Sequence, residues 1–130
     1  MRIWLTLVLI LTGCANVNER AVIQQTLDGY AQAAAKGAQL EEFLSGEALT
    51  SARQSAALMS DLGFTQLGMA NFEIATVGEG EVSGCLDLSG VQVVDSQGAL
   101  VQPNRTDRLQ FTGRFGEDAR LYKLEVLGPC

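Results

Sequence analysis

An α+β fold, with N-terminal helices packed on one face of an antiparallel sheet, follows from three features of this 130-residue sequence. Apolar residues recur at helical spacing as far as Leu62, they alternate with polar ones from Leu67 onward, and the alternating stretches are separated by short turns rich in Gly and Asp. A run of helices followed by consecutive strands makes two layers, because the apolar face of such a sheet has to be covered by the apolar stripes of the helices.

The first helix is expected after Asn18, a residue suited to an N-cap. Ile23, Leu27, Tyr30 and Ala34 share one face, and Lys36-Gly37 forms the last turn and stop. Leu40, Phe43 and Leu44, before Ser45-Gly46, suggest a short second helix. A third runs through Leu49, Ala52, Ala56, Met59 and Leu62 and ends at Gly63. In the strand region, Phe72, Ile74 and Thr76 are expected on one face, with Asn71, Glu73 and Ala75 on the other, before a turn at Gly78-Glu79-Gly80. Next, Val82, Gly84, Leu86 and Leu88 face opposite to Glu81, Ser83, Cys85 and Asp87. Val91 to Val94 and Ala99 to Val101 flank a turn at Asp95-Ser96-Gln97-Gly98, and Gln102 to Asp107, with Pro103 and Asn104, reads as a loop. Leu109, Phe111 and Phe115 then oppose Arg108, Gln110, Thr112 and Arg114. After Gly116-Glu117-Asp118, the last strand is expected to carry its apolar face on Tyr122, Leu124 and Val126.

The N-terminus has a different character. Arg2 is followed by an apolar run from Ile3 to Leu11, interrupted only by Thr6, which is the layout of an export signal. A helix rising about 1.5 Å per residue needs roughly 20 apolar residues to cross a bilayer, so this run is too short for a permanent span. Small residues then lead directly into a thiol. Leu11-Thr12-Gly13-Cys14 resembles the bacterial lipobox. The resemblance implies that residues 1–13 are a signal peptide cleaved before Cys14, that the Cys14 sulfur carries a diacylglyceryl group, that residues 14–18 form a lipidated tether, and that residues 19–130 form one domain. Several acyl chains would hold the protein firmly where one would not. The competing reading is a plain signal peptide in which Cys14 is incidental. Residue 15 is Ala, so the Asp that marks inner-membrane retention in enteric bacteria is absent.

Composition narrows the function further. The formal net charge is −6, and removing Arg2 makes the chain more acidic still. Such a surface is repelled by nucleic acid and by anionic headgroups, so attachment to a membrane would come from lipid and not from charge. The sequence has no histidine, which excludes His-based triads, His metal sites and imidazole switches. No metal or other cofactor is expected. With Cys14 taken by lipid, Cys85 and Cys130 remain as an even pair in an oxidising compartment, and an intramolecular disulfide is expected. Two free thiols, or a bond between molecules through Cys130, are the alternatives.

The order of elements resembles the cone-shaped NTF2-like, or cystatin-like, fold, which implies a curved sheet. Cys85-Leu86-Asp87, Val93-Val94-Asp95 and Gly98, with the final strand and Cys130, resemble small actinobacterial lipoproteins of unassigned function described as NTF2-like. Those proteins often carry Trp on the last strand, where this chain has Leu121-Tyr122. The resemblance implies a pocket between sheet and helices, in which enzymes of that superfamily often use Asp, His or Tyr. Tyr30 with Asp87 or Asp95 could form an acid–base pair there, although a Tyr on an apolar helix face is more often core and an Asp in a turn more often shapes the turn. No catalytic residue is assigned. Glu41-Glu42 and Glu79-Gly80-Glu81 read as solvated surface. Among Arg105, Arg108, Arg114 and Arg120, spacing puts Arg108 and Arg114 on one sheet face, to meet an anionic ligand or, more simply, the acidic excess. Asn104-Arg105-Thr106 fits a glycosylation sequon, of little weight in a bacterial lipoprotein.

The expected function is therefore that of a lipid-anchored binding module on the outer face of a bacterial membrane, or in the outer membrane if the envelope has one. Its partner would be a small apolar ligand or another envelope protein. A pocket enzyme, an isomerase or hydrolase, is the alternative.

Overall fold

A computed structural model describes residues 2–101 and 105–130, with side chains described from Glu19 onward within those ranges. The Cys14 side chain, the side chains of the expected tether at 14–18, and Asn104 of the sequon lie outside what is described.

The elements are α1 (Arg2–Lys36), a 3-10 turn at Leu40–Glu42, α2 (Gly46–Leu62), β1 (Thr65–Leu67), β2 (Asn71–Gly78), β3 (Glu81–Asp87), β4 (Gln92–Val94), β5 (Arg108–Phe115) and β6 (Leu121–Pro129). The α+β expectation holds: the helices lie against a curved antiparallel sheet of order β2-β3-β5-β6, and β1 and β4 make a separate antiparallel pair. Asn18 lies within α1 and does not cap it, because no proline or turn pair separates the apolar leader from the residues that follow.

The α1 stripe is as expected. Ile23, Leu27 and Ala31 are buried, Tyr30 and Ala34 half-buried, and the helix stops at Gly37, which takes φ 67°. Gly29 costs about 1 kcal/mol of helix propensity but leaves room for the Phe43 ring, which a methyl group at that position would strike. Two α1 side chains also bond to the outer strand β2: Gln24 donates to the Phe72 carbonyl at 3.1 Å and Arg20 to the Ile74 carbonyl at 3.1 Å. Phe72 meets Phe111 edge-on at 5.1 Å beneath the helix, and Tyr30 tilts onto Phe72 at 5.9 Å.

The expected second helix does not form beyond one 3-10 turn. Beyond that turn the chain pairs with β6: the Leu121 N–H donates to the Phe43 carbonyl and the Ser45 N–H donates to the Leu121 carbonyl, both at 2.9 Å. Strand pairing takes the backbone groups that a longer helix would have used. α2 then runs to a Gly63 cap at φ 71°, whose N–H reaches the Met59 and Ser60 carbonyls.

Two bulges correct the strand faces. Between Ile74 and Thr76 the register of β2 on β3 slips, so Thr76 lies on the outer face opposite Ser83, and Val77 joins Val82 on the core side. Gly84 sits where β2 bulges inward, and a side chain there would meet the Glu73 carbonyl. A second slip, between Arg114 and Phe115, puts Leu121 in the core, fully buried, and leaves Tyr122 exposed. The expected strand at Ala99 to Val101 reduces to a bridge between Val94 and Leu100, while β4 pairs along its length with β1, which is too short to show a period in the sequence. The turns do follow expectation. Gly78-Glu79-Gly80 closes a hairpin with positive φ at Glu79 and Gly80, and the Asp95 carboxylate accepts from the N–H groups of Gln97 and Ala99.

Candidate functional site

Cys85, on the outer face of β3, and Cys130, just past β6, are joined at an S–S distance of 2.03 Å across 45 residues. Strand alternation turns Cys85 away from the core, and the chain end reaches it because the Cys130 N–H donates to the Arg108 carbonyl at 3.2 Å. The bond ties an outer strand to the centre of the sheet.

A cavity of about 650 Å³, open to solvent, lies between the end of α1, one face of α2, and the surface formed by β1, β4 and β6. Helical spacing builds the α2 wall: Ala48, Ser51, Ala52, Ser55, Ala56 and Met59 fall on the side toward the cavity. Tyr30 and Ala34 close it from α1, with Leu40, Phe64, Val93 and Leu124 completing the apolar lining. Its size is typical of sites for small molecules. Apart from Met59, the α2 side chains that line it are alanines and serines, which fill little of the space. In the sequence those alanines and serines read only as an ordinary helix face.

Burial pushes the Tyr30 hydroxyl pKa above its usual value, so Tyr30 stays protonated at neutral pH and acts as a neutral polar group on an apolar wall. The expected partners of Tyr30 are elsewhere. Asp87 lies on the outer face of β3, where it accepts from the Ser89 N–H at 2.9 Å and faces Arg108 at 3.4 Å. Asp95 shapes its turn. Neither lines the pocket, so the acid–base pair is not assembled. The Ser89 N–H, and to a smaller extent Arg108, hold Asp87 below the usual carboxylate range.

The arginines serve mainly as partners for carboxylates. Arg108 bridges Glu73, at 2.6 Å, and Asp87; Arg114 meets Glu81 at 2.9 Å, and Arg120 meets Asp118 at 2.7 Å. Arg105 meets Asp107 and also donates to the Leu88 and Val91 carbonyls, pinning the segment before β4. Glu41 faces Arg53 at the surface. A polar groove of about 430 Å³ on the outer sheet face, lined by Thr76, Ser83, Thr112 and the paired Arg114 and Lys123, offers no free charge. Among the described residues no three His, Cys, Asp or Glu side chains converge as metal ligands, and no helix is long and apolar enough to cross a membrane. No protein-family model matches the chain, and no curated protein matches it.

Proposed function

We propose that the protein is a bacterial lipoprotein held by Cys14 on the outer face of a membrane, whose NTF2-like domain binds a small, largely apolar molecule without transforming it. The observation that carries the binding reading is the open cavity of about 650 Å³ between α1, α2 and the strands. A lining of alanine, leucine, valine, methionine and aromatic side chains gains from covering apolar ligand surface, at about 25 cal/mol per Å² buried. Tyr30 and the α2 serines add uncharged hydrogen-bonding groups that orient a ligand. A pocket enzyme is less well supported, since Tyr30 has no carboxylate beside it among the lining residues to take or give a proton. Attachment rests on the Leu11-Thr12-Gly13-Cys14 motif.

Native mass spectrometry of the full chain released gently from its host membrane tests both halves. The expected mass shows loss of residues 1–13, a lipid on Cys14, and a small adduct that disappears in Ala52→Trp, where the indole fills the cavity. A bare protein in both forms overturns the pocket reading, and an unmodified Cys14 overturns the anchor.

A further inference from the structure

Building on the pocket reading, we propose that the bound molecule is a single-chain amphiphile with a carboxylate head, and that Lys36 receives the head at the rim of the cavity. Lys36 ends α1, is exposed, and lines the pocket. Among the described residues it is the one cation with no partner. Lys123 and, among the described side chains, Arg53, Arg105, Arg108, Arg114 and Arg120 pair with carboxylates, and Arg20 donates to the Ile74 carbonyl. No Asp or Glu lines the cavity. In a chain of net charge −6, an anion is repelled over most of the surface, and among the residues that line this cavity Lys36 is the one cation to receive it.

The remaining lining fits the rest of such a molecule. Ala34, Leu40, Ala52 and Leu124 suit an alkyl chain, while Ser51 and Ser55, one turn apart on α2, offer hydroxyl donors without charge. The lining contains one ammonium and no other cation, which balances the single negative charge of a carboxylate and leaves the second charge of a phosphate monoester unmatched.

The test uses the full, lipidated chain in bilayer nanodiscs and two photoreactive probes with the same diazirine-bearing alkyl chain, one ending in a carboxylic acid and the other in an alcohol. Crosslinks are mapped by peptide mass spectrometry onto α1 and α2. The acid is expected to label the pocket about threefold or more over the alcohol, as suits one solvent-exposed ion pair, and the preference should shrink as salt rises. Lys36→Met should abolish the preference and Lys36→Arg keep it, with folding of both checked by circular dichroism. Equal labelling by acid and alcohol, or a preference that survives Lys36→Met, overturns the carboxylate proposal and leaves the pocket reading standing. If neither probe labels the pocket peptides while both label the bilayer lipid, both readings fall.

Discussion

Gly84→Ala tests the contact on which the sheet's geometry turns. A β-carbon at residue 84 would come within 2.9 Å of the Glu73 carbonyl carbon and 3.0 Å of the Ala75 nitrogen, and closer still to the Glu73 oxygen, whereas ordinary van der Waals contact begins near 3.4 Å. All three atoms are backbone of β2 at its bulge, so relief requires moving the strand rather than turning a side chain. Forcing extra volume into a packed site costs about 1–3 kcal/mol, and replacing a strand glycine with alanine returns roughly 0.5–1 kcal/mol of backbone entropy. The expected net loss is about 1–2 kcal/mol. That would lower the melting temperature by several degrees, at about 4 °C per kcal/mol for a domain of this size. Gly78, at the other end of β2, has nothing within 4 Å of such a carbon and no positive φ, so Gly78→Ala is the matched control and should be neutral or slightly stabilising. Urea unfolding of both variants, with the disulfide intact, gives the two numbers. A Gly84→Ala protein as stable as Gly78→Ala would refute the claim that β2 and β3 approach so closely that only glycine fits.

Leu27 is fully buried on α1 against the sheet, and Leu27→Ala should cost about 2–5 kcal/mol in the same assay, against little change for Val22→Ala on the exposed side. Replacing both Cys85 and Cys130 with Ala should lower stability by about 4 kcal/mol, the loop-entropy value for 45 residues, and should speed amide exchange at the end of β6; a loss below about 1 kcal/mol would show that the bond constrains little. Asp87 titrates lower in the folded chain than its ordinary value of about 3.8, so its contribution to stability is complete above that pH and fades as acidification passes through it toward the folded pKa. Unfolding midpoints measured from pH 6 downward should therefore fall less steeply for Asp87→Asn than for the parent, and parallel curves would remove Asp87 from the acid response. On the proposed anchoring, Cys14→Ser should leave the chain unlipidated, and an intact mass for this variant equal to the parent's apart from the Cys-to-Ser change would remove the lipid from Cys14.

Local periodicity alone established the two-layer plan, the α1 stripe, the Gly37 and Gly63 stops, the hairpin at Gly78-Glu79-Gly80 and the outward placement of Cys85. Each of these depends on neighbours a few residues apart, and such relations are written in the chain. What the sequence could not show arises between segments distant in sequence. Phe43 to Ser45 left helical geometry because Leu121, from the far end of the chain, offered strand partners. Thr76 and Tyr122 changed face because single bulged residues slipped a register, and an alternation pattern carries no mark of a slip until its partner strand is known. The cavity likewise depends on distant segments: its walls come from α1, α2, β1, β4 and β6, and no local pattern shows that these enclose a space. Lys36 looked like a helix-ending lysine in the sequence. Only the folded chain, by pairing or occupying every other described cation and keeping carboxylates out of the pocket, left it as a free positive charge beside an apolar space.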